Sequence, residues 1–125
     1  MDVSRNFLLI GVAYLVIGIG FGGYMGASGN TLMTPIHAHL NLLGFTVMTI
    51  FGLVYRVLPA MAVNTLAKVH FWLHQIGVLV LMVGLFLYLS GLIPETALAP
   101  IAPPAELAIL IGVLVFGWNL FKNGK

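Results

Sequence analysis

The sequence has no cysteine and very little charge. Without cysteine the chain forms no disulfide, thiolate metal site, iron–sulfur cluster or thiol nucleophile. Its 125 residues include five Lys or Arg and three Asp or Glu. Charged residues therefore make up 6% of the chain, against about 25% in an ordinary soluble domain. Hydrophobic residues make up 61%, and the mean hydropathy is +1.11. Such a chain would aggregate in water, so we predict an integral membrane protein.

Two long stretches without charge set the number of helices. No Asp, Glu, Lys or Arg occurs between residues 6 and 55, or between residues 69 and 94. A membrane-spanning helix needs about 20 apolar residues, so the first stretch holds two helices. Turn-forming residues separate these two, and prolines bound the later helices. We predict one all-α membrane domain over residues 1–125, with helices near 5–27, 34–58, 64–91 and 104–121 and a non-helical connection over 94–104.

The positions of the cations predict an orientation. Arg5, the segment 56–68 and the tail with Lys122 and Lys125 lie on one side of the four helices, and the other two loops have no Lys or Arg. The positive-inside rule then places both termini on the cytoplasmic side of the membrane. We predict that this membrane is a bacterial-type inner membrane. The cations form no basic patch, which argues against nucleic acid as a partner.

Four histidines occur inside the predicted helices, where ionisable groups are costly and suggest function. His37 and His39 lie near the outer end of the second helix. Residues two apart are about 200° apart around a helix, so these imidazoles point to opposite sides. One metal ion cannot easily bind both, whereas two sites flanking the helix can each use one. The alternative is that each imidazole only hydrogen-bonds a neighbouring carbonyl or hydroxyl group.

His70 and His74 lie at the inner end of the third helix with a spacing of four, which puts them on one face and suits a metal chelate. His70 is next to Phe71 and Trp72, which favours a role as an interfacial anchor. His74 lies one turn deeper and could relay protons, contact a haem propionate or a quinone, or pack. For both residues we favour packing or hydrogen bonding, with metal binding as the alternative.

The two pairs are predicted to lie at different depths. By rise per residue, His39 is about 7.5 Å inside the outer end of its helix, and His74 is about 9 Å inside the inner end of its own. In a hydrocarbon core about 30 Å thick, the depths then differ by more than 10 Å, too far for one iron. A haem with two histidine ligands would therefore join His37 or His39 to a histidine of another copy. Met25 and Met33 are weaker candidates for the second ligand.

Glycines on the first helix are spaced by four, at Gly18, Gly22 and Gly26. Those on the third are spaced by seven, at Gly77, Gly84 and Gly91. Such stripes allow close approach of another backbone or of a flat ligand, and helix packing is the favoured interpretation.

Three stretches in order carry a family resemblance: HAHLNLLGF at 37–45, FGLVYRVLP at 51–59 and VHFWLHQIG at 69–77. Together they resemble part of the haem–copper oxidase catalytic subunit, in its branch of C-type cytochrome c oxidases and nitric oxide reductases. In that family a His-x-His pair on the tenth helix precedes a Gly-aromatic step. A Phe-Gly-x-x-Tyr-x-x-x-Pro helix end and a His-Phe-Trp-Leu start of the next helix then follow.

The resemblance implies roles for the histidines. The first histidine of the family's pair holds a high-spin haem and the second a low-spin haem, so His37 and His39 would face different haems. The histidine matching His70 is not a ligand in the family, and His74 has no counterpart. The family subunit has twelve or more helices in three similar four-helix arcs. The resemblance therefore implies a homotrimer in which His37 of one copy faces His39 of the next.

The function implied is that of a membrane-bound b-type cytochrome with haem b, for electron transfer or for binding NO or O₂. A quinol or a cytochrome would be the electron donor. The chain has no counterpart of the family's three copper- or iron-binding histidines, which leaves open whether it is an enzyme. The alternatives are a non-haem membrane subunit or small metal transporter that binds Cu or Zn, and an assembly partner of a respiratory complex.

Overall fold

The computed structural model describes all of residues 1–125, and all of its regular structure is helical. Four helices are long and apolar enough to cross a membrane, as the charge-free stretches predict. They are α1 (Val3–Ser28), α2 (Thr34–Val57), α3 (Thr65–Leu89) and α4 (Ala102–Asn123).

The connections differ from the prediction in one respect. A one-turn helix, Glu95–Leu98, forms inside the segment predicted to be non-helical, and another, Pro59–Ala62, follows α2. α4 begins at Ala102, so its two prolines fall in the first turn, where an N–H is not needed for the helical ladder. Proline therefore lies at the start of α4 and of both one-turn helices, and it does not exclude a helix at these positions.

Local signals explain where the long helices begin and end. The Asp2 side chain caps α1 by accepting the N–H of Arg5 at 3.0 Å, and Asn64 caps α3 in the same way. α1 ends at Ser28, and Gly29 caps it with φ of 68°, a left-handed conformation that glycine adopts without strain. α2 ends just before Pro59.

α2 is not a uniform α-helix. Residues Leu40–Thr46, immediately after His39, form a π-helical segment, and the N–H of Val47 accordingly bonds the carbonyl of Leu42. The hydroxyl of Thr46 donates to the carbonyl of Asn41 at 2.9 Å, which satisfies one carbonyl of the widened turn. Short π segments are rare and often occur at functional sites.

The helices pack as two antiparallel pairs, α1 with α2 and α3 with α4. Glycines allow the close approaches: Gly44 lies against the Tyr14 ring, and Gly77 against the backbone of Ala105. An aromatic cluster joins the two pairs, and its rings come from all four helices. They belong to Phe7, Phe51, Tyr55, His70, Phe71, His74 and Phe116.

Three asparagines tie the end of α4 to the turn between α2 and α3. The Asn64 and Asn123 amides both donate to Oδ1 of Asn119, at 2.8 Å each, and Asn119 donates to the carbonyl of Met61 at 3.0 Å. Large apolar side chains cover the outside of the bundle, among them Val16 and Phe121, which are 65% and 77% exposed. That surface suits lipid or another copy of the chain.

Candidate functional site

His37 lies in the groove between α1 and α2. Its Nδ1–H donates to the carbonyl of Gly18 at 2.7 Å, because a carbonyl can only accept. The ring covers Gly22, where an added Cβ would lie 2.8 Å from the imidazole Cε1. At Gly22 the predicted glycine stripe is therefore a packing surface, and the group that packs against it is the His37 side chain. Gly26, the third member, has nothing within 4 Å of such a Cβ.

Asn41, one turn further along α2, lies over the same imidazole. Its amide nitrogen is 3.3 Å from Nδ1 and 3.4 Å from Nε2 of His37. Since Nδ1 carries the proton given to Gly18, only Nε2 can accept from Asn41, and 3.4 Å is a long hydrogen bond. The Asn41 Oδ1 is buried without a partner.

His39 bonds only its own helix. Its Nδ1–H donates to the carbonyl of Pro35 at 2.7 Å, on an exposed part of the bundle. The neutral ring then has its lone pair on Nε2, and Nε2 makes no hydrogen bond within the chain. A ring held through Nδ1–H by a backbone carbonyl is the usual state of a metal-binding histidine that ligates through Nε2.

The imidazoles of His37 and His39, called here the outer pair, thus have separate surroundings. The His37 ring lies against α1 and the His39 ring lies on the surface of α2, in line with the predicted divergence. The simplest alternative, a hydrogen bond to a carbonyl, accounts for one nitrogen of each ring and leaves Nε2 of each with a lone pair. No three His, Asp or Glu side chains come together anywhere in the chain. An imidazole nitrogen of this kind is a donor that haem iron accepts.

Met25 and Met33, the weaker candidates for a second haem ligand, both lie close to the start of α2. Met25 lies near the end of α1, with its sulfur 3.6 Å from the hydroxyl oxygen of Thr34 at the start of α2. Met33 is partly buried against the core. Ligation by either residue stays a prediction.

His70 and His74, called here the inner pair, are enclosed within the helical bundle. His70 and His74 are both 0% exposed. Nδ1 of His70 is 2.9 Å from the Tyr55 hydroxyl. Anchoring at the membrane interface, one interpretation weighed for His70, does not describe this buried ring, whereas its neighbour Trp72, which is 54% exposed, faces outward. Packing and hydrogen bonding, the favoured interpretation for both residues, describe what the structure shows.

His74 reaches the π-helical segment of α2. Its Nε2–H donates to the carbonyl of Leu43 at 3.1 Å. Leu43 is four residues from His39, about 6 Å along the helix axis by rise per residue. The His74 ring therefore contacts α2 about one turn from His39. The two pairs remain separate clusters.

Phenylalanine rings surround the inner pair. The Phe51 centroid is 4.4 Å from that of His70 and 5.4 Å from that of His74, and Phe7 is 5.1 and 6.0 Å from the same two rings. Phe116 lies 5.1 Å from His70. Sequence reasoning placed the two histidines on one face but did not identify these partners, since contacts between distant segments leave no local signal.

Comparison with protein-family models, with curated proteins and with solved structures finds no match to this chain.

Proposed function

We propose that the protein is a membrane-bound b-type cytochrome that forms a homotrimer, in which His39 of one copy and His37 of the next would hold haem b between them. Its four long apolar helices make it a multi-pass membrane protein. We place it in a bacterial-type inner membrane with both termini cytoplasmic, because its cations lie on that side of the helices.

The hydrogen bonding of His39 is the main observation that supports the proposal. Its Nδ1–H is held by the Pro35 carbonyl at 2.7 Å, and its Nε2 is free on a partly exposed surface. The ring therefore has the tautomer and the orientation that ligation through Nε2 requires, before any ligand arrives. The π-helical segment that begins at Leu40 also supports a functional role for this part of α2.

His37 is the proposed second ligand, from the neighbouring copy. The Gly18 carbonyl holds its Nδ1–H in the same way, so its lone pair is also on Nε2. The amide of Asn41 at 3.4 Å is the only hydrogen-bond donor on that nitrogen. Because this contact is long, a stronger ligand bond can replace it at small cost.

A closed trimer gives every copy the same surroundings. In a cyclic assembly each interface pairs one His37 with one His39, so three copies would provide three equivalent haem sites. Twelve helices would then match the three-arc arrangement implied by the family resemblance. The exposed apolar side chains along all four helices provide surface for such contacts.

Haem b supplies a one-electron redox centre. Two histidine ligands would occupy both positions at which the iron could bind NO or O₂, which favours electron transfer as the function. The protein's part is to hold two imidazoles in fixed tautomers and to keep water out with apolar helices. A quinol or a cytochrome is the proposed donor class.

Optical spectroscopy tests the proposal directly. The protein is expressed with added haem precursor, purified in detergent, and its spectrum recorded oxidised, reduced, and reduced with CO. We expect sharp α and β bands on reduction and no change with CO. A shift with CO would mean that one ligand is labile and would favour gas binding. Protein without haem under these conditions would contradict the proposal.

Haem content and particle mass test the assembly. Pyridine haemochrome analysis should give about one haem per chain, and light scattering with detergent correction should give a trimer. A monomeric particle with a full complement of low-spin haem would rule out ligands shared between copies.

A further inference from the structure

The inner pair has two nitrogens that the fold leaves without partners. His70 and His74 lie one turn apart on the same face of α3, with ring centroids 6.1 Å apart and no exposed surface. Nε2 of His70 and Nδ1 of His74 are both buried and make no hydrogen bond. Buried polar atoms almost always have partners, so two such atoms in one cluster require a reason.

The other nitrogen of each ring is held by an oxygen from α2. The Tyr55 hydroxyl lies 2.9 Å from Nδ1 of His70, and the Leu43 carbonyl accepts Nε2–H of His74 at 3.1 Å. His74 therefore has its lone pair on the unpaired Nδ1. His70 has a lone pair on Nε2 whenever its Nδ1–H donates to Tyr55. Oxygen partners on one nitrogen and a free lone pair on the other are characteristic of histidines that bind metal.

The charge of the surroundings limits which metal can bind. The walls shared by the two rings are Phe7 and Phe51, and no Asp or Glu lies between residues 3 and 94. The electrostatic cost of burying an ion rises with the square of its charge, roughly four times higher for a divalent than for a monovalent ion. Two neutral imidazoles without a carboxylate therefore favour a monovalent ion.

The number of ligands points the same way. No third His, Asp or Glu joins the pair, and the chain has no cysteine. Zn²⁺ in proteins almost always has four ligands. Cu(I) is stable with two imidazoles, is soft, and is attracted to aromatic rings as other cations are.

We propose that His70 and His74 form a buried Cu(I) site, with Nε2 of His70 and Nδ1 of His74 as the ligands. Tyr55 and the Leu43 carbonyl act as positioning groups. The family resemblance gives neither histidine a ligand role. The site is separate from the proposed haem site, and the ion binds whether or not haem is present.

The test is titration with Cu(I) under anaerobic, reducing conditions, with bathocuproine disulfonate as the competing chelator. We expect one high-affinity Cu(I) per chain, which an excess of Zn²⁺ does not displace. His74→Ala should remove this binding. The double variant His37→Ala/His39→Ala should keep it while losing haem. Binding that survives His74→Ala, binding that is lost in the double variant, or displacement by Zn²⁺ would overturn the proposal.

A second pair of measurements does not depend on a core variant that could misfold. Copper X-ray absorption on the unaltered protein should show Cu(I) with imidazole nitrogens only, and sulfur in the coordination shell would contradict the assignment. Tyr55→Phe keeps the ring but removes the positioning hydroxyl, and should weaken Cu(I) binding by about 10–100-fold. Tyr88→Phe on α3 is the matched control and should bind as the unaltered protein does. Equal affinity of all three proteins would exclude a positioning role for Tyr55.

Discussion

The two histidine pairs have similar chemistry and different surroundings. At the outer pair, each imidazole gives its Nδ1–H to a backbone carbonyl at 2.7 Å, and the free Nε2 of His39 lies on a partly exposed surface. At the inner pair, both rings are fully buried and their unpaired nitrogens remain inside an aromatic cluster. An exposed lone pair can bind a metal centre shared with another copy. A buried lone pair can bind only an ion that fits inside the chain.

The spacing along the helix accounts for this difference. His37 and His39 are two residues apart and diverge, whereas His70 and His74 are four apart and share a face.

The first prediction separates the two pairs by their dependence on haem. His39→Ala should abolish haem binding, because it removes the proposed ligand with the free Nε2. His74→Ala should leave the low-spin spectrum in place, since its ring lies in a different cluster. Haem per chain, measured by pyridine haemochrome, checks both variants. Full haem content in His39→Ala would place the ligand elsewhere.

The second prediction concerns the other outer histidine. His37→Ala should retain haem on His39 but convert it to a five-coordinate, high-spin form that binds CO. The reduced spectrum with and without CO measures this change. An unaltered low-spin spectrum would mean that His37 only packs against Gly18 and Gly22.

Much of this arrangement could be predicted from the sequence, and the remainder depends on contacts between distant residues. The charge-free stretches predict four membrane-spanning helices, and the spacing of four predicts the shared face of His70 and His74. The π-helical segment was not predicted, because its carbonyls are satisfied partly by His74 from another helix. The sequence left anchoring at the interface open for His70 because of its neighbour Trp72, but adjacent residues on a helix face different ways, and only Trp72 is exposed.

The third prediction tests the anchoring of the inner pair. In Tyr55→Phe both nitrogens of the buried His70 would be unpaired, which should lower the free energy of unfolding by about 1–3 kcal/mol. Tyr24→Phe is the control, since Tyr24 is 55% exposed. Thermal unfolding in detergent compares the two. An equal melting temperature for both would show that the Tyr55 hydroxyl contributes no net stability.

The fourth and smallest effect concerns the groove of the outer pair. Gly22→Ala would place a Cβ 2.8 Å from the His37 ring and should destabilise the protein by about 1 kcal/mol, as the imidazole shifts. Gly26→Ala meets nothing within 4 Å and should be neutral or slightly stabilising. Melting temperatures of the two variants, measured side by side, give the difference. The same loss in both variants would mean that the contact with His37 is not responsible.

The most direct test of haem sharing between copies is complementation. His37→Ala and His39→Ala chains, each with a different tag, are co-expressed, and particles that carry both tags are isolated. Each variant alone should lack low-spin haem. In a mixed trimer, about one interface in three should pair an intact His37 with an intact His39 from the other chain and recover the sharp α band. Mixed particles without any low-spin haem, alongside low-spin haem in the unaltered protein, would contradict ligation between copies.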